Sequence, residues 1–386
     1  MTWKETCAMD EKVKMIGDLL KGEHNISEIG EHYQVSRKTV YKWLERYHEG
    51  GIEALQEASR APHYHPNATA PETVSEIITA KLSHGGWGPK KVVSLLKRQY
   101  PEQRWPAIST AQSILYKAGL VKPRKTRRHT PPYNHPFQKC NRPNDSWSID
   151  YKGQFRMGDG RQCYPLTITD NYSRYLLKCR GLRHPSYEDT QPHLERAFRE
   201  YGLPLAVRSD NGAPFASTGL GGLSRLGVWL VRLQVMPERI MPSHPEQNGR
   251  HERMHRTLKE ATCQPPRSSL AQQQKAFDRF QQEYNEKRPH EALGMKPPAS
   301  VYHPSMRTYP SKPRPVEYDG WLKVRRVLPS GGIKWQNNYI YVSQALAGEP
   351  VGLRQIADTA WEVWFSFLLL GILDETKGKV LPMSPV

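Results

Sequence analysis

The sequence predicts three kinds of structure in order: an all-α N-terminal part, a mixed-sheet α/β core and a small all-β C-terminal part. Three observations carry this. Up to about residue 120, apolar residues recur at spacings of three and four; from about 145 to 210, short strand-like runs come first and then alternate with a helical stretch; beyond about 320, apolar and polar residues alternate. A chain of 386 residues exceeds what one core organises, so several domains are expected. The expected partition is two helical units at 1–60 and 61–120, a basic linker at 121–140, the α/β core at 141–305, a proline-rich linker at 306–319 and a β-barrel-like domain at 320–386.

Lys and Arg number 56 against 38 Asp and Glu, a net charge of +18, which favours a polyanionic partner, nucleic acid ahead of an anionic membrane surface. The longest apolar run, VWFSFLLLGIL at 363–373, falls short of the roughly 20 residues that cross a bilayer and reads as one or two buried strands. The start, MTWKETCAMDEKVK, lacks the apolar stretch of a secretory leader, so a cytoplasmic protein is expected. Five scattered cysteines without C-x-x-C spacing suggest neither a disulfide framework nor a zinc ribbon.

In the first helical unit Val13, Ile16, Leu19 and Leu20 mark a helix that breaks at Gly22. In NISEIGEHYQVSRKTVYKWLERY, Ser27 is the expected cap of a short helix, Gln34-Val35 a turn, and Ser36 the cap of a second helix that buries Val40, Trp43, Leu44 and Tyr47. That is a helix-turn-helix pattern, and its outer face offers Arg37, Lys38, Lys42 and Arg46 to phosphates or base edges. A plain three-helix bundle with a solvated basic face is the alternative. A second such unit follows in ETVSEIITAKL, GGWGPKKVVSLLKRQY and STAQSILYKAGL, with Ser109 as cap, Gly119 as stop and Lys90 and Lys91 as candidate DNA contacts. The stretch VKPRKTRRHTPPYNHPFQK (121–139) reads as an extended arm whose Arg124, Lys125, Arg127 and Arg128 lie along phosphates, or as a merely solvated linker.

In the core, SID ends a strand on Asp150, and RSDNG ends another on Asp210 just before an Asn-Gly turn. Two strand-end carboxylates and one from a helix would form an all-oxygen ligand set of the kind Mg²⁺ or Mn²⁺ prefers, and two such ions clamp the attacking and leaving oxygens of a phosphodiester. Asp145 reads as a strand entry and Asp170 as a hairpin tip. The stretch HPEQNGRHERMHRTLK (244–259) holds Glu246 in a loop and Glu252 in a helix starting near Asn248 or Gly249. Helical spacing puts Glu252, His255, Arg256 and Lys259 on one face, and Met254, Leu258 and Ala261 on another that packs on the sheet. A surface pair of Glu252 with Arg256, worth at most about 0.5 kcal/mol, is the alternative role. In the β part, a Ser-Gly-Gly turn is expected to join strands around residue 331.

SIDYKGQF, RSDNGAPF, HPEQNGRHERMHRTLK and EYNEKRPHEALGMKPPASVY closely resemble the integrase-core (DDE) transposases of bacterial insertion sequences, relatives of retroviral integrases, and the resemblance covers nearly the whole chain. In that family the third acid follows a P-x-x-N/Q-G element by three residues, which selects Glu252. The customary spacing from the second acid would select Glu246 (246 − 210 = 36, against 42 for Glu252). The motif is preferred, because STGLGGLSRLG has room for a small insertion. The resemblance implies an RNase H-like fold and a DNA transposase that binds terminal inverted repeats, frees 3′ ends with a metal-activated water and joins them to target DNA without a covalent enzyme intermediate. Asp150 would bridge two Mg²⁺ or Mn²⁺ ions, Asp210 and Glu252 would complete one shell each, and Asn248 and Gly249 would shape a loop at the DNA end, with Arg256 and Lys259 on the backbone. Asn285, Arg288, Pro289 and His290 match a segment read as structural closure of the core, with a DNA contact by Arg288 left open. The resemblance further implies a bacterial, nucleoid-associated protein, a homodimer or homotetramer on double-stranded DNA, with no membrane and no zinc. A transposase-derived regulator with an inert core, and a metal-dependent nuclease or resolvase, are the alternatives.

Overall fold

The computed structural model describes residues 7–57, 68–122, 140–217, 219–241, 245–312 and 315–382. The chain divides into two compact units, Met1–Ala68 and Thr69–Val386.

The first unit holds α1 (Ala8–Leu20), α2 (Ile26–His32) and α3 (Arg37–Gly50), packed around Met15, Ile16, Ile29, Val40, Trp43 and Leu55. Asn25, not Ser27, caps α2: its side chain accepts from the Ser27 and Glu28 N–H groups at 2.9 and 3.0 Å, and Glu28 accepts from the Asn25 N–H. The reciprocal pair satisfies orphan donors that Ser27, already inside the helix, cannot reach. Ser36 caps α3 as expected, accepting from the Thr39 N–H. The turn between α2 and α3 is tight: Gln34 has φ 53°, and a Cβ on Gly30 would stand 2.9 Å from the Val35 carbonyl oxygen. Arg37, Lys38 and Lys42 are exposed on α3, with Tyr41 among them. Lys42 and Arg46 both lie over the Trp43 ring, and Arg46 also donates to the Gln56 carbonyl.

The second unit opens with α4 (Pro71–Ser83), α5 (Pro89–Gln99) and α6 (Ile108–Lys117), whose core includes Ile77, Trp87, Val92, Val93, Leu96 and Leu115. Ser109 is not a cap, because α6 begins at Ile108, whereas Gly119 ends the segment with φ 70° as expected of a helix stop. Next come β1 (Ser146–Tyr151), β2 (Phe155–Arg156), β3 (Gln162–Asp170), β4 (Leu176–Leu182), α7 (Tyr187–Tyr201), β5 (Ala206–Ser209), α8 (Arg225–Arg232), β6 (Met236–Arg239), α9 (Gly249–Thr262) and α10 (Leu270–Glu286).

The core sheet runs β4-β3-β1-β5-β6, with β2 beside the start of β3. β1, β3 and β4 are antiparallel neighbours, while β5 and β6 lie parallel to β1. This is the RNase H-like arrangement. Strand alternation sends Trp147, Ile149, Leu166 and Ile168 to the face covered by α7 and α8, where Phe198 and Leu230 meet them. The other face packs Cys163, Leu176 and Cys179 against Met254 and Leu258 of α9 and Phe277 and Phe280 of α10. Ala261, expected on that packed face, is exposed.

Strand β4 lies at the sheet's edge, and α10 covers it with amides. Gln274 accepts from the Gly181 N–H and donates to the Cys179 carbonyl; Gln281 donates to the Leu176 and Leu177 carbonyls; Asn285 bonds both the N–H and the carbonyl of Leu176 at 2.8 and 3.0 Å. Spacings of seven and four residues align these amides on one helical stripe, so the edge is closed by side chains instead of another strand.

The C-terminal region contains β7 (Lys323–Arg326), β8 (Gly332–Trp335), β9 (Asn338–Tyr341), β10 (Pro350–Ala357), β11 (Ala360–Phe365), β12 (Leu368–Asp374) and β13 (Lys379–Pro382). They form an antiparallel sheet, β13-β12-β11-β10-β7, and the hairpin β8-β9. Leu223, Val228 and Val231 of the core join their apolar cluster, which includes Ile333, Trp335, Val363 and Phe365. Ser330-Gly331-Gly332 lies in the turn that leads from β7 into β8, as expected, with the Gly331 N–H donating to the Leu328 carbonyl, and the β8–β9 hairpin turns at Gln336-Asn337, φ 46° and 64°. Two successive positive φ values match the twist that a two-residue hairpin requires. The run at 363–373 is two buried strands folded at Ser366, as expected.

Because Asn285 satisfies both backbone groups of Leu176, Asn285→Ala is expected to destabilise the protein by about 1–3 kcal/mol, read from urea unfolding. Asn285→Asp should cost at least as much as Ala near neutral pH, because a buried carboxylate would face the Leu176 carbonyl oxygen.

Candidate active site

Asp150 is the fifth residue of β1 and shares its sheet face with Ser148, while the neighbouring Trp147 and Ile149 point into the opposite core. Across the ladder Asp150 pairs with Thr167, so Thr167 and Thr169 of β3 look out from the same face. Asp210 immediately follows β5. Its Oδ1 accepts from the Gly212 N–H at 3.1 Å, Asn211 donates to the Ile240 carbonyl at 2.7 Å, and a Cβ on Gly212 would come within 3.1 Å of the Asp210 carboxylate. Asn211 and Gly212 therefore fix the turn while leaving the carboxylate uncrowded. One residue back from the strand end, Arg208 pairs with Glu238 of β6 at 2.9 Å, both nearly buried.

Helix α9 brings up the third acid. Glu252, Arg256 and Lys259 are exposed on it, whereas Met254 and Leu258 are buried. Glu252 lies close enough that its charge, like that of Asp210, acts on Asp150. The Asp150 carboxyl is raised from 3.8 to about 7, first by burial, then by Asp210, with Glu252 adding to it. Asn248 is buried at the helix entrance and Gly249 opens the first turn. Pro245–Asn248 is a single 3-10 turn, and the Glu246 side chain lies outside the described residues.

The sequence expectation placed His255 beside Glu252 on the open face. It is instead buried, 5% exposed, and so is His251, 1% exposed. The Thr167 hydroxyl touches Nε2 of His251 at 2.7 Å and Nε2 of His255 at 2.6 Å, and donates to the Asp150 carbonyl at 3.2 Å; the Thr169 hydroxyl meets His251 Nδ1 at 2.9 Å. The two rings stand edge to face, 4.5 Å apart. Burial lowers both imidazoles, His251 to about 3 and His255 far below its ordinary value, with His251 and Lys152 adding to the latter. His255 Nδ1 is 3.7 Å from Asp150 Oδ2. These histidines were not recognisable from helix spacing alone; the signal lay in the alternating Thr167 and Thr169 of LTITD, two polar residues where a fully buried strand would be apolar.

The remaining candidate contacts divide. Lys90 forms an ion pair with Glu291 of the core, and Lys91 is half-buried, its ammonium lowered to about 8 by burial and by Arg288 and Arg253. Helix α5 docks on the core: Arg98 donates to the Lys287 carbonyl and Ser94 to that of Met295. Lys90, expected at DNA, thus has an ion-pair partner within the chain and stays half exposed, and Lys91 is set back beside Arg288. Arg288 is largely buried with its guanidinium over Trp87, and Asn285 serves the sheet edge, in keeping with structural closure. Arg124, Lys125, Arg127 and Arg128 lie outside the described residues. Asp145 accepts from the Asn141 and Arg142 N–H groups at the entry to β1, and Asp170 holds the β3–β4 turn through Ser173 and Asn144. Among the described residues no helix is long and apolar enough to cross a membrane, and Cys7, Cys163, Cys179 and Cys263 are free thiols.

Comparison with known proteins agrees with this architecture. Residues 140–245 and 233–298 match integrase core domain models, residues 11–63 a helix-turn-helix domain and residues 39–115 a homeodomain-like domain. These define a transposase or integrase class of protein, a polynucleotidyl transferase-type enzyme with DNA-binding helical units. The chain is 25% identical over 274 residues to the 39.2 kDa protein of insertion element IS476 from Xanthomonas euvesicatoria, covering 69% of this chain and 76% of that one. It is 25% identical over 236 residues to the 31.7 kDa protein of insertion element IS407 from Burkholderia multivorans, covering 59% and 82%. Among solved structures, the HTLV-2 integrase catalytic core domain in complex with magnesium matches 42% of this chain and 99% of its own, at 15% identity and a TM-score of 0.34. The integrase core domain at 140–298 is thus the feature that this chain shares with integrases, and over most of its length the chain is similar to proteins of bacterial insertion elements.

A carboxyl whose folded pKa is raised adds stability below its ordinary 3.8 and loses that contribution as pH climbs towards 7. In EDTA, the wild-type unfolding midpoint should therefore drop more steeply between about pH 4 and 7 than that of Asp150→Asn. Equal slopes would mean that Asp150 is ordinarily solvated.

Proposed function

We propose that the protein binds the terminal inverted repeats of its element and catalyses divalent-metal-dependent 3′-end cleavage and strand transfer, with Asp150, Asp210 and Glu252 as the catalytic acids. One observation carries the reading: the Asp150 carboxyl is buried and lies within the fields of both Asp210 and Glu252. A largely buried carboxylate with two further acids in its field is costly to ionise unless a cation joins it. Oxygen donors of this kind fit Mg²⁺ or Mn²⁺. Asp150 would bridge two ions, with Asp210 and Glu252 each completing one shell. Bound there, such ions polarise the phosphodiester and favour the deprotonated form of the attacking water or 3′-hydroxyl.

The chain's own residues supply position and charge. Arg256 and Lys259, four and seven residues beyond Glu252, share its exposed side of α9 and hold backbone phosphates beside the acids. Asn248 and Gly249 shape the entry to that helix. Arg37, Lys38 and Lys42 of α3, with Tyr41 between them, read the repeat, and Arg46 steadies the helix through Trp43. Bringing two element ends together calls for a dimer or tetramer on DNA.

Strand transfer with purified protein, Mn²⁺ or Mg²⁺ and a duplex bearing the element's end tests the assignment. Glu252→Gln should lower joining at least a hundredfold, a loss of about 3 kcal/mol or more of transition-state stabilisation, with repeat binding intact, and Glu246→Gln should remain active. The reverse pattern would transfer the third role to Glu246. Arg37→Ala or Lys38→Ala should weaken repeat binding and reduce the salt dependence by about one ion per lost contact, measured by fluorescence anisotropy across a salt series.

A further inference from the structure

The Thr167 hydroxyl has one proton and two lone pairs, yet it contacts three groups: the Asp150 carbonyl, His251 Nε2 and His255 Nε2. The carbonyl only accepts, so the threonine proton goes there. All three contacts are hydrogen bonds at once only when both imidazoles donate from Nε2. His251 Nδ1 then accepts from the Thr169 hydroxyl, which leaves that ring with both nitrogens engaged. His255 is different. Its Nε2 carries the ring proton, and its Nδ1 is a bare lone pair facing Asp150 Oδ2 at 3.7 Å. An N–H at that position would close on the carboxylate to about 2.7–2.9 Å. Two acceptors held this far apart in a buried pocket have room for a cation between them, since each would sit about 2.1 Å from a shared ion.

We propose that His255 Nδ1 is a direct ligand of the cation that Asp150 and Glu252 share, making that ion's shell mixed nitrogen and oxygen. Asp150, His251 and His255 present ligand atoms within 4.8 Å of one another, but only His255 has a nitrogen to spare. His255 lies three residues beyond Glu252, so both reach the same end of α9. His251 is a positioning residue that, through Thr167, sets the tautomer of its neighbour. A nitrogen ligand shifts preference from Mg²⁺ towards Mn²⁺ or Co²⁺ at this ion, leaving the Asp150–Asp210 side all-oxygen. The assignment rests on the metal-dependent reading above.

Pulsed EPR of Mn²⁺ bound to the full chain tests it without reference to activity. The wild type should show the hyperfine coupling of one directly bound ¹⁴N, replaced by the ¹⁵N pattern when the protein carries ¹⁵N-histidine. His255→Asn should abolish the coupling and weaken Mn²⁺ binding about tenfold, while His251→Asn retains the coupling. His255→Gln serves as a second variant, and thermal unfolding of each verifies the fold. Absence of nitrogen coupling in wild type whose Mn²⁺ uptake requires Asp150, or its survival in a folded His255 variant, overturns the proposal while leaving the carboxylate site standing. Mn²⁺ uptake indifferent to Asp150→Asn overturns the metal reading beneath it. Nitrogen NMR of the metal-free protein adds an independent check: a proton on His255 Nδ1 would mean an ordinary donor to the carboxylate.

Discussion

One threonine hydroxyl holds the site together. Thr167 stands directly across the ladder from Asp150 and takes both histidines of α9, so one oxygen, seconded by the Thr169 hydroxyl on His251, registers the helix that carries Glu252 against the sheet that carries Asp150. Each such bond contributes only about 1 kcal/mol to folding, but buried polar groups left unmade cost more, and that asymmetry forbids sliding of the helix by one residue. A slip would carry His251 and His255 away from Thr167 and put other side chains against the sheet. The placement of Glu252 is thus a consequence of where its neighbours must be buried.

The same face of the sheet shows why some of this was readable in sequence and some was not. The places of Asp150, one residue before the end of β1, and of Asp210, directly after β5, were close to legible because a turn signal follows each, and helix spacing put Glu252 on the exposed side of α9. His255 was misread. Its spacing from Glu252 placed it on the open side, but an α-helix at the edge of a sheet offers an intermediate strip where a residue three positions along can tuck inwards. Periodicity assigns faces, and it cannot say where the covering surface stops. The caps failed for a related reason: Ser27 and Ser109 are good capping residues, but Asn25 with Glu28 forms a reciprocal pair, and α6 starts a residue before Ser109. The order and kind of elements followed from the alternation of apolar residues, whereas the closure of β4 by Gln274, Gln281 and Asn285 rests on long-range pairing that no local pattern displays.

Charge was the least legible property. A net +18 suggests that basic residues face DNA, yet several face the protein. Lys90 pairs with Glu291, Arg208 with Glu238, and Arg232 with Glu349. Arg174 and Arg250 donate to the same carbonyl, that of Asn171, with burial, and then the repulsion of Arg250, lowering Arg174 to about 10. Counting cations overestimates the surface available to a polyanion, because a basic chain also uses arginine as an internal tie to carbonyl oxygens.

The docking of α4 and α5 on α10 and the residues after it has a mechanical meaning. His84 stacks on Trp87 and meets Glu283, Arg98 reaches the Lys287 carbonyl, and Lys90 reaches Glu291, contacts spread along more than one turn of each partner. Helices fastened at several points cannot pivot on the core as a hinged module would. They behave as the fixed jaw of a caliper, so the distance from the second helical unit to the acids at the ends of β1 and β5 is a property of the folded protein and not of a tether.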